Sequence, residues 1–491
     1  MQRTPKHLEL SSRIKKSLKQ GSTCDGASCN TFVVEDDLGS ITEALSWSMH
    51  VSKREGAPTL ILSNIRPEGA KTAGGGTASG PCSFARVFDA AAAAMLRPGK
   101  KNGVLVMFLD ADHPDLDKWL DLKPSMQRGY LGVLLRPSTK LKNGLVEKLA
   151  RAYDQRRIDF ICKVTEGRDA EPLYPNVCTE IRQRHKGSCT LAAIRIYELA
   201  GKPLEEWVSA GQDIGRYFHE YIIPIMKGRA LLSDHNLYEW EDQVGIGLVG
   251  FANLLAKEGI TYQGFVQAYS DIVQPGITSD GILGWVIGAQ ETTDKPVQLW
   301  VKLIALWGSI ASEMPNTNRI FTQQPTAATA LRCDDDGWSV APEIAPPYAC
   351  RSTDDRISRS ILQSELNGST EITYHPTVQV RDEVDNDTFF RLCCAFQEIW
   401  YLLGKGHTIS YSSWREEYTA EHILEFIRSP LGSLYYRLDP TPASTFNKAE
   451  TWDDAGDLGD LFPELPGEEE PVIGFCPINP ADRGSCEACS M

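Results

Sequence analysis

The sequence has no run of 18 apolar residues, no apolar signal region at its start, and no excess of positive charge. The first two absences remove the patterns of a membrane-spanning helix and of a secretory leader. With 50 Lys and Arg against 65 Asp and Glu, the formal net charge is −15. That balance disfavours nucleic acid as a partner, because a phosphate backbone rewards a basic face. The expectation is a cytoplasmic protein with no membrane and no nucleic-acid partner, in which any polyanionic nucleotide is held by local devices. A framed cysteine scaffold is also missing: the 13 cysteines are odd in number and scattered, which argues against a secreted disulfide framework. What is present is bulk. A chain of 491 residues with 42% hydrophobic content can bury a large core, as two or three domains or one large barrel.

Two cysteines in the middle of the chain stand in distinctive company. Asn176-Val-Cys178-Thr-Glu180 is followed, eleven residues after Cys178, by Cys189 in Gly187-Ser-Cys189-Thr-Leu. Alternate residues of extended chain face the same way, so an amide, a thiol and a carboxylate would share one side of a loop. A carboxylate can take a proton from a hydroxyl, an amide can orient that hydroxyl, and sulfur can do one-electron or nucleophilic chemistry. The commoner fate of a lone cysteine is inert burial. The remaining cysteines argue otherwise, because Cys29 lies where a polar turn runs into an apolar strand and the chain ends in Cys486-Glu-Ala-Cys489-Ser-Met. Together they suggest a redox relay. A Cys-x-x-Cys pair could be half a zinc site, but no second ligand pair of suitable spacing stands near it. Thiol exchange is the better expectation, with no metal in the chain.

Thr31–Val34, Thr59–Leu62, Gly103–Leu109, Leu131–Leu135 and Asp159–Cys162 read as short buried strands. Between them Ser40–Ser52, Ser83–Leu96, Asp115–Leu122 and Leu141–Tyr153 carry helical periodicity. Strands alternating with helical crossovers predict an α/β fold with parallel pairing. The run Ala90 to Ala94 favours helix and leaves a smooth face for another helix. After Pro440 the chain turns acidic and rich in Pro and Gly, as in Asp453-Asp-Ala-Gly-Asp-Leu-Gly-Asp. Such a stretch buries too little apolar surface to order itself, so residues 439–491 are expected to be a flexible, redox-active tail.

These cysteines, with several further segments in the same order, resemble the large, catalytic subunit of ribonucleotide reductases, in a compact form. Ser79-Gly-Pro-Cys-Ser-Phe-Ala-Arg-Val-Phe-Asp89 and Asp112-His-Pro-Asp-Leu-Asp-Lys-Trp-Leu120 are similar to segments bracketing a regulatory loop of that family. Gly245-Ile-Gly-Leu-Val-Gly-Phe resembles its barrel glycine segment, Gln324-Pro-Thr-Ala-Ala-Thr329 its phosphate-binding turn, and Tyr435-Tyr436 its tyrosine pair. The resemblance implies a ten-stranded α/β barrel over residues 25–438, two five-stranded halves around a finger loop with Cys178 at its tip, after a short N-terminal helical segment, 1–24. It implies a homodimer pairing through the alanine-rich helix and the one after Asp36.

The implied activity is reduction of ribonucleoside diphosphates. Cys178 would be the thiyl radical, Glu180 the base and Asn176 the orienting amide. Cys29 and Cys189 would supply reducing equivalents, with Cys486 and Cys489 recharging them from a thioredoxin or glutaredoxin-type reductant. Ser28 and the turn Pro325, Thr326, Ala327, Ala328 and Thr329 would hold the substrate. Asp36, Asp37 and Leu38, with Arg97, Lys100 and Arg128 in the loops Arg97–Asn102 and Lys123–Gly129, would bind a deoxynucleoside triphosphate effector. Tyr435 and Tyr436 would conduct a radical from a separate, small, metal-containing subunit, so that no cofactor is bound in this chain. The alternative is adenosylcobalamin, which needs no such wire. No glycyl-radical motif of the Arg-Val-x-Gly-Tyr type occurs near the C-terminus, which disfavours the anaerobic class. Only 28 residues precede Cys29, so overall activity switching by adenine nucleotides is expected to be absent. A reading from another class, a non-catalytic thiol or metal-binding protein on the same fold, predicts that Cys178 and Glu180 are dispensable.

Overall fold

The computed structural model describes residues 3–437, apart from 20–26, 28, 55, 96–103, 142–143, 168–170, 232–236, 238, 273–288, 290–291, 331, 348–373 and 436. The tail at 439–491 therefore lies outside the described residues.

The five apolar segments of the first third form β2 (Cys29–Val33), β3 (Ala57–Ile61), β4 (Leu105–Asp110), β5 (Gly129–Leu135) and β6 (Phe160–Lys163). They lie side by side in the order β6-β5-β4-β3-β2, every pair parallel. Both faces of these strands are covered, which is why they read as continuous apolar runs rather than as alternating ones. The crossovers contain the helices Leu38–Lys53, Gly80–Ala94, Leu116–Leu120 and Leu145–Asp154, close to the expected spans. Gly80–Ala94 ends two residues short of the expected Leu96, with Met95 as its C-cap.

A second sheet has the order β1-β10-β11-β12-β13, from β1 (Leu8–Leu10), β10 (Leu191–Arg195), β11 (Gln243–Val249), β12 (Arg319–Gln323) and β13 (Gly406–Ile409). Its last four strands are parallel, while β1 joins β10 antiparallel. β14 (Ser433–Leu434) likewise adds to β6 antiparallel. Among the described residues these two sheets hold six and five strands, each including a short antiparallel edge strand from a neighbouring segment. Isolated bridges Asn30↔Ser188 and Tyr411↔Leu434 link the first sheet to segments flanking β10 and β13 of the second.

Between the two sheets runs a small antiparallel finger, β7 (Thr165–Glu166), β8 (Pro172–Pro175) and β9 (Arg182–Gln183). The second sheet is backed by large aromatics. Phe265 stacks on Trp300 at 4.2 Å between centroids, and Phe396 meets Trp300 and Trp307 edge-on. Gly211 on the helix Leu204–Tyr217 is a packing device: a Cβ there would stand 2.7 Å from the Leu306 carbonyl oxygen of the helix Lys295–Glu313. Among the described residues, no helix is long and apolar enough to cross a membrane.

Candidate active site

The fingertip is the turn Asn176–Glu180 between β8 and β9. The sequence reading put Asn176, Cys178 and Glu180 on one face of extended chain, but the chain bends here instead. Thr179 sits at φ +64°, a left-handed conformation that an L-residue adopts only when its surroundings demand it. The turn is closed by the Thr179 N–H donating to the Asn176 carbonyl at 3.1 Å and the Asn176 N–H donating to the Ile181 carbonyl at 3.1 Å. Asn176 and Glu180 meet across it: Asn176 Nδ2 donates to Glu180 Oε1 at 3.0 Å, and Asn176 Oδ1 accepts from the Ile181 N–H at 3.1 Å. The amide is held from both ends and holds the carboxylate.

Glu180 is fully buried. Burial pushes its pKa up to about 7, against hydrogen bonds from Asn176 and Ser410 that favour the charged form. A carboxyl poised there can take a proton from a hydroxyl near neutral pH. Four further residues, three of them distant in sequence, complete its cage. Ser410 Oγ donates to the Cys178 carbonyl and lies 3.4 Å from Glu180 Oε2. Thr322 Oγ1 and the Thr408 N–H both donate to the Glu180 carbonyl, at 3.1 and 3.0 Å. Arg182, buried on β9, donates to the Thr179 carbonyl at 3.0 Å and to the Gly432 carbonyl at 2.6 Å. Sequence reasoning missed all four; a lone Ser, Thr or Arg carries no local signal of its partners.

Three thiols converge beside this pair. Cys29 opens β2 and Cys189 precedes β10, and they are tied together by the Cys189 N–H donating to the Cys29 carbonyl and the Cys29 N–H donating to Cys189 Sγ, each at 3.1 Å. Hydrogen bonding of the Cys29 thiol with Cys178 and then Cys189, added to burial, holds its pKa well above the ordinary thiol value. Cys29 and Cys189 are buried, whereas Cys178 is half-buried. All three thiols are free. Gln183 locks the finger to β2, accepting from Thr31 Oγ1 at 2.7 Å and donating to the Cys29 carbonyl at 3.3 Å.

Tyr435 borders the same apolar cluster as Cys29, Cys162 and Cys189. Its ring stacks on Phe160 at 5.1 Å and 19°, its N–H donates to the Tyr411 carbonyl at 2.8 Å, and its carbonyl accepts from Tyr153 Oη. Tyr436, Ser28, Arg97, Lys100, Cys486 and Cys489 lie outside the described residues.

Thr326, nearly fully buried, is the pivot of the turn Pro325–Thr329: its carbonyl accepts from the Thr329 and Ala330 N–H groups, and its Oγ1 accepts from the Glu343 N–H at 2.6 Å. Ala327 and Ala328 lie in the short helix Ala327–Ala330. Asp36 pairs with Arg66, missed from the sequence, whose Nε donates at 2.6 Å. Asp37 caps the helix Leu38–Lys53 through the Ser40 N–H at 2.9 Å, and Leu38 is exposed. The adjoining groove is lined by Glu35, Asp37, Glu43 and Glu171 with Arg184 and His185. Arg128 lies in a loop pinned from the side, since the N–H groups of Gln127, Arg128 and Gly129 all donate to the Asp89 carboxylate. Among the described residues no group of three or more His, Cys, Asp or Glu could hold a metal ion.

Residues 27–132 match the family model for the ribonucleotide reductase barrel domain. The vitamin B12-dependent ribonucleoside-diphosphate reductase of Mycobacterium tuberculosis strain H37Rv is 27% identical over 279 residues, covering 48% of this chain and 38% of that protein. The ribonucleoside-diphosphate reductase subunit alpha of Mycoplasma pneumoniae is 31% identical over 97 residues, covering 20% of this chain and 14% of that one. The chain spans about two-fifths of the length of the Mycobacterium relatives it matches. The class Id ribonucleotide reductase alpha subunit of Actinobacillus ureae shares the fold, with a TM-score of 0.58, 17% identity, and coverage of 88% of this chain and 87% of that one. The chain is thus similar to ribonucleotide reductases in its barrel segment, residues 27–132, and shares the fold of a ribonucleotide reductase alpha subunit.

Proposed function

We propose that this chain reduces ribonucleoside diphosphates to deoxyribonucleotides by thiyl-radical chemistry. The observation that carries this reading is the meeting of Cys29, Cys178 and Cys189 beside the Asn176–Glu180 pair. Cys178, as a thiyl radical, takes the hydrogen from C3′ of the ribose. Glu180 accepts the 3′ hydroxyl proton while Asn176 keeps its carboxylate aimed. The C2′–O bond then breaks, and the oxygen leaves as water with a proton from one thiol of the Cys29 and Cys189 pair; the hydrogen of the other thiol goes to C2′, and Glu180 returns its proton to the 3′ oxygen as the 3′ carbonyl is reduced. Those two thiols give up two electrons and become a disulfide, and Cys178 returns its hydrogen to C3′, regenerating the radical. Cys486 and Cys489, on the tail 439–491, would reduce the disulfide by exchange and be reduced in turn by a thioredoxin or glutaredoxin-type protein. Residues 25–438 would be the catalytic barrel, with 1–24 a separate short segment. The substrate's phosphates would sit on Pro325–Thr329, with Ser28 nearby. Asp36, Asp37, Leu38, Arg97, Lys100 and Arg128 would serve a deoxynucleoside triphosphate effector, and two copies would pair as a homodimer.

The Tyr435–Phe160 stack bordering the thiol cluster supports delivery of the radical from a metal-containing partner subunit through Tyr436 and Tyr435. A second reading rests on the Mycobacterium relatives, which are named vitamin B12-dependent. Adenosylcobalamin, when bound, supplies the radical itself, and Cys178 is the thiol of the three that is not fully buried. Tyr435→Phe separates the two, since it keeps the ring and deletes the phenolic O–H that must lose a proton and an electron together. With a radical subunit, turnover should collapse while nucleotide binding survives. Undiminished turnover of the variant with adenosylcobalamin would overturn the two-subunit reading and leave the reductase reading standing.

A further inference from the structure

Glu343 is a buried acid that the proposed chemistry does not use. It is 9% exposed and sits at φ +58°, a left-handed conformation costly for any residue but glycine. Its loop is held there from several sides. The Glu343 N–H donates to Thr326 Oγ1 at 2.6 Å, the Tyr262 hydroxyl donates to the Ile344 carbonyl at 3.0 Å, and the Ala341 N–H donates to Asn253 Oδ1 at 2.8 Å. The backbone is therefore fixed, but among the described residues nothing hydrogen-bonds the carboxyl. A buried carboxylate without a partner is expensive, and the groups around it offer no relief. Glu180 of the fingertip acts on it with like charge. Tyr262, on the helix Tyr262–Ile272, and Cys393, on the helix Asn386–Leu402, face it as buried acids whose own pKa values are raised.

We propose that Glu343 is a second working carboxyl of the nucleotide site: protonated, it donates a hydrogen bond to the phosphate end of a nucleoside diphosphate seated on the turn Pro325–Thr329. This rests on the reading of that turn as the phosphate cradle. Thr326 joins the two, since its hydroxyl oxygen accepts from the Glu343 N–H while, among the described residues, its own hydrogen has no acceptor and can turn to the ligand. A neutral carboxyl suits an anion that the net charge of −15 otherwise repels. An ionised carboxyl would expel it. Burial, then the charge of Glu180, pushes Glu343 up to about 8, so the donor is present below pH 8 and is lost above it.

The test is equilibrium binding of cytidine diphosphate to the full chain between pH 6.5 and 9, for wild type, Glu343→Gln and Glu343→Gly. Glutamine keeps a neutral donor that does not titrate, and glycine removes the side chain while relieving the strained backbone. Titration of the ligand's own phosphate is common to all three proteins. Wild-type affinity should fall about tenfold more than that of Glu343→Gln between pH 7 and pH 9, and Glu343→Gly should bind about tenfold more weakly than wild type at pH 7. Parallel pH profiles for wild type and Glu343→Gln, with binding intact, would overturn the role of Glu343 alone. Failure of wild type to bind cytidine diphosphate at any pH would overturn the phosphate cradle as well.

Discussion

Along β2 to β6 the strands pair in unbroken parallel register, from Cys29↔Ala57 to Leu135↔Lys163. In the second sheet the register shifts between β11 and β12 and again between β12 and β13. The regular sheet brings Cys29 on β2 and, through β14 and β6, Tyr435. The irregular sheet brings Thr322, Thr408, Ser410, the turn Pro325–Thr329 and, beyond it, Glu343. Bulges and slips re-aim side chains at strand ends, and here they gather hydroxyls and carboxyls at the fingertip. In the proposed chemistry the difference teaches a division of labour, with protons and phosphate handled from the irregular side and electrons by a thiol pair that joins the two, Cys29 on β2 and Cys189 before β10. The finger is locked between the two sheets, with Arg182 bonded to His407 and Gln243 of the irregular sheet and Gln183 to Cys29 of the regular one.

Breaking the electron side should cost most. Cys29→Ser or Cys189→Ser removes half of the proposed dithiol reductant, so deoxynucleotide formation should fall by roughly three orders of magnitude or more, with binding of cytidine diphosphate unchanged. Loss of binding in these variants would erase the division. On the proton side, Glu180→Gln should lower turnover by about 10²–10⁴-fold. In wild type, activity should rise as pH climbs through about 7, because the base must be ionised, and the glutamine variant should lack that limb.

Effects further from the reacting atoms should be smaller. Thr326→Val deletes the acceptor for the Glu343 N–H and should weaken nucleotide binding by about tenfold, with turnover at saturation nearly kept. The smallest effect concerns stability. Burial raises Glu180 and Glu241 to about 7 and Glu343 to about 8, from an ordinary 4.5. Across that window the folded chain holds more protons than the unfolded one, so stability falls as pH rises through it. The urea midpoint should therefore be lower at pH 8.5 than at pH 5.5, and Glu241→Gln should flatten the slope. A midpoint that climbs over the same range would contradict the burial of these acids.

The same contrast governs what could be read from the chain. The strands of the regular sheet announce themselves, because buried parallel strands such as Leu131–Leu135 are continuous apolar runs. β10 and β13, short and carrying polar residues such as Arg195 at the end of β10 and His407 within β13, do not. Asn176, Cys178 and Glu180 were legible as reacting types at close spacing, but the left-handed Thr179 that folds them into a turn is set by tertiary contacts. Ser410 lies 232 residues from Cys178, whose carbonyl it meets, and no local pattern could pair them. Glu343 carries no motif at all; its meaning arises only from burial and from the hydroxyl of Thr326.

The most direct measurement is conversion of cytidine diphosphate to its deoxy form by wild type and Cys178→Ser, each supplied in turn with adenosylcobalamin and with a radical-generating subunit. The account predicts deoxynucleotide from wild type with one of these sources and none from the serine variant, which should still bind the substrate. Comparable product from the serine variant, or no product from wild type with either source, would contradict it.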